Sequence, residues 1–196
     1  MLTFRSPAKV NLFLRILRRR DDGYHELASL FQAISLFDYL HVKLSDKYKL
    51  TTTVPGLPTD DSNLVSKAVR LFRHKTGLDV RPQIHLEKNI PMEAGLGGGS
   101  SNAATTFWAL NELTGRPATT DQLCTWGAEI GSDVSFFLSQ GTAYCTGRGE
   151  ILQPLNPLPS QSLWIIKPKS GLSTKEVYGR LDARALPQRN PQVALE

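Results

Sequence analysis

An α+β fold is predicted by the order in which hydrophobic periods succeed one another along this chain. Strand-like apolar runs fill residues 4–54, and helical spacing begins only after residue 60. A charged turn ending in Asp22-Gly23 separates two of the strand runs, as in a hairpin. A glycine-rich bend within residues 91–104 then opens an Ala-rich apolar helix. Strands gathered ahead of helices favour a sheet with its helices segregated from it.

Residues 4–17 form the first strand, entered through Pro7. Val10, Leu12, Leu14 and Ile16 alternate to one face, which is expected to be the half-buried one. Lys9 and Asn11 fall on the opposite face, where local pattern alone makes them solvated. Tyr24, His25 and Glu26 open the next strand after the Arg18–Gly23 turn. Leu27 to Leu44 holds two apolar runs broken near Asp38, which predicts successive strands. Lys47–Val54 is another, with Thr51, Thr52, Thr53 and Val54 β-branched. Pro55-Gly56-Leu57-Pro58 turns the chain. Asp60, Asp61 or Ser62 is expected to cap a helix on which Leu64, Ala68, Leu71 and Phe72 recur, ending at Gly77. Asn63 and Leu64 lie in its first turn, and Leu64 on its own is a core leucine.

Strand Val80–Glu87 leads through Lys88 to the bend, which Pro91 enters and Gly95, Gly97, Gly98 and Gly99 crowd. Glycines permit left-handed turns and close backbone approach to a bulky ligand. Ser100 and Ser101 stand at the mouth of the helix that follows, where seryl side chains suit an N-cap and free first-turn amides favour an anion. Together these residues make a phosphate cradle. The letters fit neither a Walker-type loop, which needs Gly-Lys-Ser/Thr, nor the dinucleotide fingerprint, which needs glycine where Ser100 stands.

That helix runs to about Leu113 with Ala103, Ala104, Phe107, Trp108 and Leu110 as an apolar face, and Gly115-Arg116-Pro117 ends it. Thr119, Thr120 and Asp121 start another through Leu123, Trp126 and Ile130. In Gly131-Ser132-Asp133-Val134, local pattern makes Asp133 a turn cap. Short strands are expected at 141–145, 150–153 and 163–168, with Thr146-Gly147-Arg148-Gly149 a hairpin turn. Ser173–Tyr178 looks like a capped helix start, and no periodic element follows Leu186.

Of 196 residues, 40% are apolar and 21% charged, the composition of an ordinary globular protein. A net charge of +5 admits polyanionic partners such as nucleotides and RNA without choosing between them. No apolar run approaches the ~18 residues of a membrane span, and the first residues show no secretory signal. Cys124 and Cys145 give neither a disulfide framework nor a metal spacing, so a reducing cytoplasm is expected.

Gly97-Gly98-Gly99-Ser100-Ser101-Asn102-Ala103-Ala104 resembles the second motif of the GHMP small-molecule kinases, and Pro7-Ala8-Lys9-Val10-Asn11-Leu12 resembles their first. Gly23-Tyr24-His25 and Gly131-Ser132-Asp133-Val134 resemble the members that act on 4-diphosphocytidyl-2-C-methyl-D-erythritol, Ser132 replacing an alanine. The resemblance implies a mostly antiparallel sheet covered by helices on one side, in a lobe that resembles a ribosomal-protein domain. It implies ATP with Mg²⁺, the triphosphate held by Gly95, Gly97, Gly98, Gly99, Ser100 and Ser101, Pro91 also at the ATP site, and adenosine bordered by Asn63, Leu64 and Lys88. Lys9 and Asp133 would stand at the reacting centre, Asp133 as base, with Asn11 reaching the same place. Tyr24 and His25 would receive the cytidine, and Tyr178 would be a second stacking residue in a region that closes over the ring. No side chain is implied as a metal ligand, and the partner is a small molecule rather than a membrane or nucleic acid. Rival readings are another GHMP small-alcohol kinase and a non-catalytic fragment binding nucleotide or RNA. Against RNA, no aromatic-and-basic stacking platform is apparent. The family's third, glycine-rich motif has no counterpart, since no glycine follows Gly179. Residues 1–160 are therefore expected to be the N-terminal ATP-binding domain, and 161–196 the start of a truncated C-terminal one.

Overall fold

A computed structural model describes residues 1–139, 141–168 and 180. The elements in chain order are β1 (Leu2–Arg19), β2 (His25–Leu44), β3 (Lys49–Thr52), α1 (Leu64–Thr76), β4 (Pro82–Glu87), α2 (Gly98–Leu113), α3 (Thr120–Ile130), β5 (Thr142–Thr146) and β6 (Ile151–Pro154), with a 3-10 turn at Ser135–Leu138 before β5. β2 is the spine of one mixed sheet. β1 pairs antiparallel along one of its edges, while β4 takes Tyr39–Leu44 and β5 takes Ser29–Gln32 on the other. β3 adds parallel to β4, and β6 antiparallel to β5. The sheet is thus mostly antiparallel.

The three helices pack against one face. Leu40, Val42, Ile84 and Leu86 of the sheet meet Val65, Val69 and Phe72 of α1, Phe107 and Leu110 of α2, and Leu123 and Trp126 of α3. Burying each large apolar side chain contributes roughly 1.5–3 kcal/mol, so this layer carries the fold. α2 lies innermost: residues 101–107 and 109–111 are all buried, and Trp108 is its outward exception. No helix among the described residues is long and apolar enough to cross a membrane.

Several elements depart from the sequence expectation. Residues 27–44 belong to one strand, because the polar residue at its middle, Asp38, is wholly buried and bonded rather than a break. In β1 the expected apolar face is not continuous. Leu12 is the extra residue of a bulge between Asn11 and Phe13, and both Leu12 and Leu14 are exposed while Lys9 is buried. Asn63, not Asp60, Asp61 or Ser62, caps α1: its side chain accepts from the Val65 amide. Residues 163–168 form no strand, and Trp164 is 96% exposed, because no strand among the described residues pairs them. The helix start expected at Ser173–Tyr178 lies outside the described residues.

Candidate active site

The glycine bend begins where β4 ends. Glu93 and Gly95 both adopt positive φ, 52° and 71°, and Gly97 at 67° is the N-cap of α2. Ser100 and Ser101 are therefore inside the helix and make no cap, contrary to expectation; a left-handed cap residue needs glycine, and its backbone does the work instead. The Ser101 amide closes the first helical bond to the Gly97 carbonyl at 2.8 Å. The amides of Gly98, Gly99 and Ser100 precede that bond, and among the described residues they donate to no backbone or side-chain acceptor. Three unspent N–H groups at a helix mouth are the raw material of an anion site.

Neighbouring groups press closely on the bend at Gly97 and Gly98, and less so at Gly99. A Cβ on Gly97 would stand 2.8 Å from the Phe137 ring and 3.1 Å from the Lys9 side chain. One on Gly98 would stand 2.9 Å from Lys88 Nζ, and one on Gly99 3.3 Å from Leu64. Leu64 thus borders the bend from α1, while Asn63, the residue before it, spends its side chain on the Val65 amide and the Pro58 carbonyl. Lys88 lies beneath it, its side chain only 6% exposed and its ammonium donating to Asp38 and to the Ile90 carbonyl, both at 2.7 Å. Pro91 and Gly95 lie on the exposed rim.

Lys9 reaches the same place from β1. Its amide donates to the Leu96 carbonyl at 3.0 Å, which ties the strand to the bend. The residue is 5% exposed. Its ammonium donates to Asn11 Oδ1 at 2.6 Å, stands 4.5 Å from the Phe31 ring centroid and lies 3.6 Å from Asp133 Oδ2. Asn11 is held with its oxygen toward the lysine because its Nδ2 donates to Ser29 Oγ at 2.8 Å. Ser29 in turn donates to the Phe13 carbonyl at 2.6 Å.

Asp133 sits between α3 and the 3-10 turn, whose cap position is Val134, without a side-chain bond. The carboxylate is left to face Lys9 and the β5–β6 turn, where a Cβ on Gly149 would be 3.6 Å from its Oδ1. Cys145 lies on β5 nearby and is wholly buried. Burial first, then the Asp133 charge, pushes its thiol up to about 12. Burial also raises the Cys124 thiol.

At the other end of β1 and β2, Tyr24 is 56% exposed, and the Arg148 guanidinium lies 4.8 Å from its ring centroid. His25 follows it, half-buried, at the start of β2. Tyr178 lies outside the described residues. The structure therefore gathers Lys9, Asn11, Asp133 and the glycine bend at one locus, borders it with Leu64, and sets Tyr24 and His25 along the same hairpin; no contact brings Asn63 to the bend. Lys88 it keeps underneath. Sequence reasoning passed over Asp38, Ser29, Phe31 and Phe137. Of these only Asp38 left a mark, as the polar residue interrupting an apolar run.

Residues 63–141 match the family described as GHMP kinases N terminal domain. The chain is 59% identical over 177 residues to the 4-diphosphocytidyl-2-C-methyl-D-erythritol kinase of Protochlamydia amoebophila, covering 90% of this chain and 62% of that protein. It is 51% identical over 200 residues to the chloroplastic/chromoplastic protein of that name from Solanum lycopersicum, covering 100% of this chain and 50% of the relative. It thus spans between half and two thirds of these relatives' length. Among solved structures, a crystal structure of 4-(cytidine 5'-diphospho)-2C-methyl-D-erythritol kinase superposes with a TM-score of 0.68 at 40% identity, over 79% of this chain and 55% of that one. The Methanococcus jannaschii mevalonate kinase, at 14% identity and a TM-score of 0.61, over 80% of this chain and 56% of that one, shares the fold.

Proposed function

The chain belongs to the GHMP kinase family, and from that premise we propose that it supplies the nucleotide-binding and reacting half of a kinase. The reaction moves the γ-phosphoryl group of ATP to the 2-hydroxyl of 4-diphosphocytidyl-2-C-methyl-D-erythritol, a step of non-mevalonate isoprenoid synthesis. The observation that carries this reading is the 3.6 Å approach of Lys9 to Asp133 beside the unspent amides of Gly98, Gly99 and Ser100.

The acceptor is a tertiary alcohol, crowded and weakly acidic, so alignment and charge neutralisation matter most. Asp133 takes the hydroxyl proton as the phosphorus–oxygen bond forms, and Lys9, aimed by Asn11, holds that hydroxyl and the incoming charge. The amides of the bend hold the triphosphate, with Pro91, Gly95, Gly97 and Ser101 shaping it and Lys88 supporting it from below. Asn63 and Leu64 border the purine. Mg²⁺ carried in on the triphosphate would supply further charge neutralisation, and no side chain among the described residues is assigned to hold it. Tyr24 offers a ring face to the cytosine and His25 a hydrogen-bonding edge. We assign residues 1–160 to the nucleotide-binding domain, whose sheet ends at Pro154, and 161–196 to the start of a second. Two free thiols fit a reducing compartment such as the cytoplasm.

The test is phosphoryl transfer from ATP to the diphosphocytidyl alcohol, run beside cytidine-free alcohols. The proposal expects transfer to the first and little to the others. Equal transfer to all would make the protein a kinase of simpler alcohols, and ATP binding without transfer a nucleotide-binding fragment.

A further inference from the structure

Asp38 lies in the middle of β2, wholly inaccessible to solvent, on no motif that marks the reaction. Its Oδ1 accepts the amides of Asn89 and Ile90 at 2.7 and 2.8 Å. Its Oδ2 accepts Lys88 Nζ at 2.7 Å and Asn102 Nδ2 at 2.8 Å. The first three donors are the last residues before the glycine bend, and the fourth is the second residue after the Ser100 amide. One carboxylate therefore grips the bend by both its ends.

A second layer fastens the exit side. Asn102 Nδ2 also donates to Ser6 Oγ at 2.9 Å, and Ser6 donates to Ser101 Oγ at 2.8 Å, so β1 is joined to the same first turn of α2. Lys88, returning to the Ile90 carbonyl, puts its ammonium 2.9 Å from where a Cβ on Gly98 would be. A buried charge without its partner is very costly, so such a pair fixes one arrangement of the chain around it. Removing the carboxylate frees both ends of the bend at once.

We propose that Asp38 is a positioning residue for phosphate binding: it sets the distance between the end of β4 and the mouth of α2, and so converges the three free amides on one anion. The inference rests on the nucleotide-binding reading given above. It also makes Lys88 a strut of the site rather than a ligand of the nucleotide.

The test uses the whole chain and two variants, Asp38→Asn and the charge-matched double Asp38→Asn/Lys88→Gln. Two readouts are taken: affinity for a non-hydrolysable MgATP analogue, and hydrogen exchange at the amides of residues 101–104 against those of α1 and α3. Asp38→Asn should weaken nucleotide binding at least tenfold and speed exchange at 101–104 while α1 and α3 hold their wild-type rates. The double variant, which leaves no unpaired buried charge, should recover part of both. Unchanged affinity, or exchange rising equally in all three helices, overturns the proposal, since the second result means that Asp38 merely stabilises the fold. If Asp38→Asn does not fold, the double variant decides by the same two readouts against wild type, with smaller changes in the same direction expected. If the wild-type chain binds no nucleotide, the nucleotide reading falls, and selective exchange at 101–104 alone decides the positioning.

Discussion

Around the glycine bend, polar side chains are buried and multiply bonded, while around Tyr24 the same kinds of groups meet in solvent. Asp38, Lys88, Asn102, Ser6 and Ser101 form a closed network under the bend. At the β1–β2 tip, Arg18 and Arg20 reach Glu26 at 3.2 and 3.6 Å, and Arg20 reaches Asp22 at 3.0 Å, all from partly or largely exposed side chains. Surface pairs contribute about 0–1 kcal/mol, whereas stripping one partner from a buried pair costs roughly 3–5 kcal/mol. The difference teaches where order is needed. On the proposed function, transferring a phosphoryl group demands donors fixed in advance, while recognising a flat base tolerates a tip that settles on its ligand.

The sharpest way to test that contrast is at the reacting centre. Asp133→Asn keeps the shape of the side chain that faces Lys9 at 3.6 Å and removes its basicity. Turnover should fall by roughly 10²–10⁴ with affinity for MgATP nearly unchanged. A comparable loss of both in steady-state kinetics and calorimetry would take the base assignment away. Next comes a matched pair of glycines. Gly97→Ala sets a Cβ 2.8 Å from Phe137 at a φ of 67°, so left-handed strain and overpacking combine to about 2–4 kcal/mol. Gly23→Ala, at a φ of 82° with nothing within 4 Å, meets only the strain, about 1 kcal/mol. Denaturant midpoints of the two variants measure the difference. Equal costs would mean that the bend is no more tightly packed than the tip.

The parts of this site that were legible in the sequence are those whose chemistry is written in local spacing. Glycine needs no partner to announce a left-handed bend, and a helix of small and apolar residues behind it declares its own mouth. The family resemblance singled out Lys9 and Asp133, yet local pattern placed them on a solvated strand face and at a turn cap. Only the register of β1 and the packing of the 3-10 turn bring them together. The bulge at Leu12 could not be read, because alternation looks the same until a strand pairs. Asp38 looked like a strand break for a related reason. A lone carboxylate in an apolar run signals interruption unless its donors, here some fifty residues away, are already in view. The serines were misjudged as caps because Ser, Thr, Asn and Asp do lead at that position, and only the backbone shows that Gly97 occupies it.

A smaller effect separates orientation from stability within the reacting centre itself. Ser29 touches no substrate in the proposed mechanism, but it decides which end of the Asn11 amide faces Lys9. Ser29→Ala leaves Asn11 Nδ2 and the Phe13 carbonyl without that hydroxyl, and the amide can turn. The expected result is a fall in kcat of about tenfold, the order of one lost hydrogen bond, with KM for ATP unchanged. Ser29→Thr, which restores the hydroxyl, should recover most of it. A rise in KM alongside the fall in kcat would point to a general loosening of the hairpin.

The smallest expected effect lies at the tip and bears on the contrast most directly. Glu26→Gln removes the acceptor charge from both Arg18 and Arg20, so it disables two of the tip's ion pairs in one change. Glu26 is only partly exposed, yet each arginine keeps water, and Arg20 keeps Asp22, as an alternative partner. The loss should therefore be below about 1 kcal/mol in low salt, and it should shrink further at 1 M salt, where screening acts within ~3 Å. Denaturant titration at both ionic strengths reads this. A cost of several kcal/mol that persists in salt would mean the tip is built like the bend, with its charges effectively buried. Tyr24 would then stand on a fixed platform, and the latitude argued for base recognition would be lost.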